Sequence, residues 1–214
     1  VVRELNRFRD DLDTVVRKMR AELEDAEYSQ VLALRDELLS LNRSKMVKIN
    51  HSVMELICAM HLIKGGFEVE LEHTVDKVLC DLYATKGYGS AIVEVETGFV
   101  SPENALDPLT YLRARIASKI TRYSGFANKF ILATPPYYIM QVPPAMTKPP
   151  RFRTDEEISA IKELCDLYYT SPPVPVDDIR NARLHSIYAI DVDSVSIREW
   201  DVNEYLGKAA LWTI

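Results

Sequence analysis

Four carboxylates stand where charge is ordinarily excluded: Glu55, Asp81, Glu94 and Glu96. Asp81 interrupts the apolar run from Val78 to Tyr83, and Glu94 and Glu96 end the apolar run that begins at Ala91. Both runs read as short buried strands bounded by Gly87, Gly89 and Gly98. A charged side chain inside such a strand needs a partner. Glu94 and Glu96 are two positions apart, so they project from one face of the strand. Like charges that close repel unless a cation lies between them or one carboxyl keeps its proton. A divalent metal resolves that conflict, and the residues therefore point to metal-assisted chemistry.

The elements that must position these groups follow from the apolar pattern. Neither Gly nor Pro occurs before Gly65, so the first 64 residues can be helical almost throughout. Leu5, Phe8, Leu12, Val15 and Met19 form a narrow seam that Leu23, Ala26, Leu34, Leu38 and Leu41 continue. A seam of this kind needs a cover, and the expectation is a helical homodimer contact, with an intramolecular hairpin as the alternative. Asn42, Ser44, Asn50 and Ser52 interrupt the pattern. Ser52 to Glu55 fits a capping box, which would start a largely buried helix running to Lys64 and ending at Gly65 and Gly66. Glu55 then has two roles open to it, cap and metal neighbour, which do not exclude each other.

Residues 67–71, 77–84 and 90–96 read as three strands of a meander. A helix over about 109–126 carries an apolar stripe at Leu112, Ile116, Ile120 and Tyr123, beside a basic row at Arg115, Lys119 and Arg122. A buried strand over 129–133 follows, and strand, helix, strand with a crossover predicts a parallel pair in a mixed sheet. Residues 135–150 hold six prolines and read as an extended loop. Residues 155–169 read as an amphipathic helix and 184–192 as a further strand, while the pattern after Ser194 specifies nothing.

The chain has 47% apolar and 27% charged residues, an ordinary globular balance, and holds no apolar stretch near the roughly 18 residues of a membrane span. The start of the chain does not resemble a signal peptide, and Cys58, Cys80 and Cys165 lack metal-site spacing, so an intracellular, soluble, cytoplasmic protein with reduced core thiols is expected. The net charge of −6 is unevenly spread. Positions 108–154 contain no acid and eight cations, among them Arg113, Arg115, Lys119, Arg122, Lys148, Arg151 and Arg153. The rest of the chain carries 18 basic and 32 acidic residues, so one electropositive surface on an acidic body is expected. That surface would suit DNA, with Arg113, Arg115, Arg122, Lys148, Arg151 and Arg153 as contacts.

A helix with Glu55, strands with Asp81 and then Glu94-Val95-Glu96, and a helix with Lys119 resemble the PD-(D/E)XK nuclease superfamily, which includes archaeal Holliday-junction resolvases. The resemblance covers about residues 52–134. The size and the helical N-terminal segment are also similar to nuclease-like proteins of archaeal viruses. The resemblance implies an α/β fold, a restriction-endonuclease-like αβββαβ core with a mixed sheet, preceded by a long helical segment. It divides the chain into a coiled-coil-like dimerisation segment, 1–50, and a nuclease-like domain, 51–214. It implies a Mg²⁺- or Mn²⁺-dependent endonuclease acting on DNA, with Asp81 and Glu94 as metal ligands, Glu55 nearby and Lys119 stabilising charge. Cys80 replaces the family's proline. Glu96 replaces its lysine, so either Lys119 supplies the missing ammonium from the following helix or Glu96 itself orients or deprotonates water. Loss of the lysine also fits a decayed nuclease core that binds nucleic acid or serves assembly.

Three further groups fall outside this scheme. His51 reads as a polar residue ahead of the Glu55 helix, and an earlier helix start would bring it near the site. His61, His73 and His185 share no ligand spacing. Tyr137 and Tyr138 suit either stacking on unpaired bases or packing within the domain.

Overall fold

The computed structural model describes residues 2–43 and 49–211. The Gly- and Pro-free stretch forms three helices: α1 (Val2–Met19), α2 (Asp25–Arg43) and α3 (Ile49–Lys64). The first two make a tight hairpin. Arg20 closes it by donating to the Leu23 carbonyl at 3.1 Å and pairing with Asp25 at 2.6 Å, while Glu27 accepts from the Glu24 N–H at 2.8 Å. Phe8, Leu12, Val15, Met19, Leu23, Leu34 and Leu38 are buried in one core with α3 and the sheet. The seam is therefore covered from within the chain, as in the intramolecular alternative, and an uncovered stripe no longer argues for a dimer. Ser44 and the Leu5 side chain lie outside the described residues.

Helix α3 also departs from expectation. It is already helical at Ile49, so Ser52 is an interior residue, fully buried, and the capping box does not form. His51 then precedes Glu55 by one turn on the same helix face.

The remaining elements are β1 (Glu68–Val75), β2 (Val78–Lys86), β3 (Gly89–Val95), α4 (Pro108–Tyr123), β4 (Lys129–Thr134), α5 (Pro144–Thr147), α6 (Asp155–Asp166), α7 (Val176–Asn181), β5 (Ser186–Asp191), β6 (Ser196–Trp200) and α8 (Val202–Ala209). The strands form one open mixed sheet in chain order. β1 to β3 are the expected antiparallel meander, β3 pairs β4 in parallel across α4, β5 is parallel to β4, and β6 is antiparallel to β5. The proline-rich loop contains the short helix α5, with Pro144 at its first position. Among the described residues no helix is long and apolar enough to cross a membrane.

Two cores sandwich the sheet. Val93, Val95, Ile131, Ala133 and Ile190 face α1, α2 and α3, whereas Ile92, Phe130, Leu132 and Ile187 face α4, α6 and α7. This alternation changes phase in the first hairpin. Val69, Leu71 and Leu82 belong to the first core, but Val75 and Cys80, of matching parity, belong to the second. The break falls at Glu72, which lies between the pairs Leu71 with Leu82 and His73 with Cys80, opposite Asp81. Glu72 takes a left-handed φ of 45°, unusual for a residue with a side chain. The sheet is thus kinked where the acidic residues gather.

Leu12→Ala should lower unfolding free energy by about 2–5 kcal/mol in urea, the usual effect of a large-to-small change in a packed core. The wild-type melting temperature should not vary with protein concentration. A concentration-dependent melt would place the seam between subunits instead.

Candidate active site

Strands β2 and β3 pair as far as Leu82 with Val93. Immediately beyond, side chains take over from the ladder. The Asp81 N–H donates to Glu94 Oε1 at 2.9 Å, and the Val95 N–H donates to Asp81 Oδ2 at 2.7 Å. Two backbone donors that the divergence would strand are satisfied by two carboxylates, and both carboxylates are fixed in return. Glu96 extends the strand end by donating its N–H to the Ala133 carbonyl at 2.7 Å.

The second element is Lys119, delivered by α4 on the face toward which Glu94 and Glu96 project. Asp107 caps that helix by accepting from Thr110 N–H, and Pro108 occupies its first position. The Lys119 ammonium lies 2.8 Å from Glu94 Oε2, 2.7 Å from Glu96 Oε1, 3.3 Å from the Val95 carbonyl and 4.0 Å from Asp81 Oδ2. One turn earlier, Arg115 reaches the same Glu96 Oε1 at 3.1 Å and the Phe99 carbonyl at 3.1 Å. Burial opposes the Lys119 charge, but Glu94, Glu96 and Asp81 outweigh it and hold the ammonium pKa well above its ordinary value. Burial also pushes the Glu94 carboxyl up to about 8, against the pull of Lys119.

Of the two alternatives the sequence leaves open for Glu96, the geometry favours the one in which Lys119 supplies the ammonium. Glu96 is fully buried, with one oxygen shared by two cations and the other without a hydrogen-bond partner. A carboxylate so enclosed positions Lys119 and Arg115 rather than meeting water. The backbone turns away from it through Gly98, whose φ is +74° and where an added Cβ would collide with the Tyr138 ring. Tyr138 packs there and its hydroxyl is buried without a partner, whereas Tyr137 is 82% exposed.

Glu55 enters from α3, on the opposite face of the sheet. It is 1% exposed and its Oε2 has no hydrogen-bond partner. Burial first, then Asp81, Glu72 and Glu94, raise its pKa well above the ordinary value, with Lys119 opposing. Ligand atoms of His51, Glu55 and Asp81 all lie within 4.8 Å of one another, so these three could hold a metal ion. Of the expected pair, Asp81 belongs to this group, while Glu94 is bonded to Lys119 and to the Asp81 amide. Among the described residues, Glu55, Glu72, Asp81, Glu94 and Glu96 gather around two cations, Lys119 and Arg115. Acids outnumber bases, and a divalent ion would offset part of the excess. An imidazole among the ligands favours Mn²⁺ over Mg²⁺, which prefers oxygen donors.

Two members of this cluster are not among the site residues read from the sequence, although His51 was weighed there. His51 was legible only through the helix start, which the apparent capping box misplaced. Glu72 lies in β1 beyond the alternation that ends at Leu71. Burial, then Asp81, pushes its carboxyl up to about 7, and Lys119 opposes.

The expected basic face is dispersed. Arg113 is exposed on α4. Arg115 is bound to Glu96, and Arg122 donates to the Pro172 carbonyl at 2.7 Å beneath the Tyr169 ring. Lys148 pairs with Glu157 and Arg151 is exposed. Arg153 is buried and donates to backbone carbonyls only, so it holds structure rather than ligand. Cys58, Cys80 and Cys165 are buried free thiols, as expected.

No family model, curated protein or solved structure matches this chain. Fold and site define it as an α/β protein with an open mixed six-stranded sheet whose kinked end carries a carboxylate–lysine cluster.

Carboxyls with raised pKa make stability fall with pH. Between the ordinary value of 4.5 and about 8, the folded protein keeps protons that the unfolded chain has released. In chelator, the melting temperature should therefore drop across that range. Glu55→Gln should match wild type near pH 4 and exceed it at pH 8 by about 3 °C or more, the effect of about 1 kcal/mol at this size. Equal melting at both pH values would show that Glu55 carries no such penalty.

Proposed function

We propose that the protein is a metal-dependent hydrolase of phosphodiester bonds in DNA, built on a restriction-endonuclease-like core. The observation that carries this reading is the buried, unpartnered Glu55 oxygen beside His51 and Asp81, with an ammonium 4.0 Å from Asp81. The run α3, β1, β2, β3, α4, β4 also follows the order helix, three strands, helix, strand that the resemblance implies.

His51, Glu55 and Asp81 would hold the ion. A divalent ion there supplies Lewis acidity toward a phosphoryl oxygen and makes water acidic enough to attack near neutral pH. Lys119 contributes a fixed positive charge beside that position, where a phosphorane-like transition state gathers negative charge. Its three protons are taken by Glu94, Glu96 and the Val95 carbonyl, so it acts as an oriented charge and exchanges one partner for a phosphate oxygen. Glu96 and Arg115 keep it in place. In this reading the family's strand lysine and its charge have changed places: the strand holds the anchor, and the helix supplies the ammonium. Glu72, half-exposed at the kink, is placed to pass protons to solvent.

A second reading, a nucleic-acid-binding or assembly protein with a decayed nuclease core, is favoured by the enclosure of Glu94 and Glu96, which are 2% and 0% exposed. Nicking of supercoiled and branched DNA separates the two. The hydrolase should cut faster with Mn²⁺ than with Mg²⁺, and not in chelator. Asp81→Asn and Lys119→Met should each lose about 10² or more in rate, in line with removing a group that stabilises transition-state charge. DNA binding without cutting under any of these conditions would establish the second reading.

A further inference from the structure

A second charged feature lies at the other end of the sheet. A cleft of about 690 Å³ is lined by Lys148, Arg151, Arg153, Arg180, Arg183 and His185, with no carboxylate in its lining. His185 fixes its place: its Nδ1 accepts from the Phe130 N–H at 3.0 Å, at the start of β4, and leaves Nε2 to carry the proton. The Arg183 N–H donates to Ser124 Oγ at 3.0 Å, at the end of α4. The carboxylate cluster, by contrast, sits at the far end of β3. Between Phe130 and Ala133, which accepts from the Glu96 N–H, β4 rises about 10 Å at the usual rise per residue.

Arg153 builds the cleft. All five of its N–H groups are used on carbonyls: Ala145, Met146 and Lys148 on one side, Ile179 and Arg180 on the other. It ties the proline-rich loop to the end of α7, turns the backbone acceptors of both inward, and leaves the cationic side chains around the opening. No carboxylate pairs with Arg153 among the described residues. Lys148 and Arg180 are paired at the rim with Glu157 and Asp155. Arg151 and Arg183 are exposed and pair with no acid among the described residues. Beside the opening the Arg151 guanidinium lies 4.7 Å from the centre of the Phe152 ring, itself 59% exposed.

We propose that this cleft binds the phosphodiester backbone of single-stranded DNA, at a site separate from the carboxylate cluster. The volume suits more than one phosphate, within the range of extended ligand pockets. A positive groove with an exposed aromatic ring alongside is the arrangement that holds single strands, the cations following the backbone and the ring stacking on a base. The His185 N–H adds a neutral donor that burial keeps uncharged. This inference takes from the proposed function only the class of ligand.

The test is fluorescence anisotropy with a labelled single-stranded oligonucleotide in chelator, where cleavage plays no part. Arg151→Glu/Arg183→Glu should weaken binding at least tenfold and reduce the slope of log affinity against log salt by about 1.4, two single-strand phosphate contacts. Phe152→Ala should weaken binding about tenfold and leave the slope unchanged. Arg7→Glu/Arg9→Glu on exposed α1 positions makes the same charge change and should have little effect. Unchanged affinity in the first variant, equal loss in the α1 variant, or displacement of the oligonucleotide by inorganic phosphate at matched ionic strength would each overturn the proposal. A protein that binds by this pattern yet never cuts would defeat only the hydrolase reading. One that cuts while the cleft variants bind normally would defeat only this one.

Discussion

A buried ammonium among three carboxylates is the interaction on which the rest of the structure depends. Lys119 cannot stay charged inside the protein without partners, since removing one member of such a set leaves a charge uncompensated at a cost of about 3–5 kcal/mol. Glu94 and Glu96 supply those partners from one strand face, and Asp81 completes the group from the next strand. The requirement reaches outward. It fixes the depth at which α4 sits on the sheet, it makes the end of β3 carry acids where apolar residues would pack, and it ends the β2–β3 ladder at Leu82.

The kink follows from the same constraint. Once Asp81 gives its N–H to Glu94 and accepts from Val95, its own strand can no longer alternate regularly, and Glu72 opposite adopts a left-handed conformation. The change of phase lets Cys80 and Val75 enter the second core while Leu82 and Leu71 remain in the first. The opening so formed lies between the layers, where Glu55 can approach from α3 and Lys119 from α4. Glu55 from the α3 side thus meets, across the sheet, the group that Glu94, Glu96 and Lys119 form on the α4 side.

Much of this was legible in the sequence because apolar periodicity and Gly or Pro boundaries act locally. The meander, the parallel crossover and α4 are set by alternation and by the run from Leu112 to Tyr123. The conjunction of Asp81, Glu94, Glu96 and Lys119 was legible because charges in apolar strands demand an explanation. Other features depend on long-range packing. Whether the α1–α2 seam meets its own sheet or a second chain is invisible to a heptad pattern, since either cover satisfies it. Ser52 and Glu55 present a capping box by type, yet the helix continues upstream and buries the serine. Arg153 looks like a phosphate contact by composition, and only the fold reveals five carbonyls converging on it. For Glu96 the sequence leaves two roles open, and only the fold shows one of its oxygens shared between Lys119 and Arg115.

We propose that a divalent ion held by His51, Glu55 and Asp81 balances part of the negative charge that Lys119 and Arg115 leave over. Crystals soaked in Mn²⁺ and measured at the manganese absorption edge test it directly. One anomalous peak is expected, bonded to an oxygen of Glu55 and an oxygen of Asp81, with a His51 nitrogen at coordination distance. A peak elsewhere, or none at Mn²⁺ concentrations that saturate ordinary carboxylate sites, would rule this ion out.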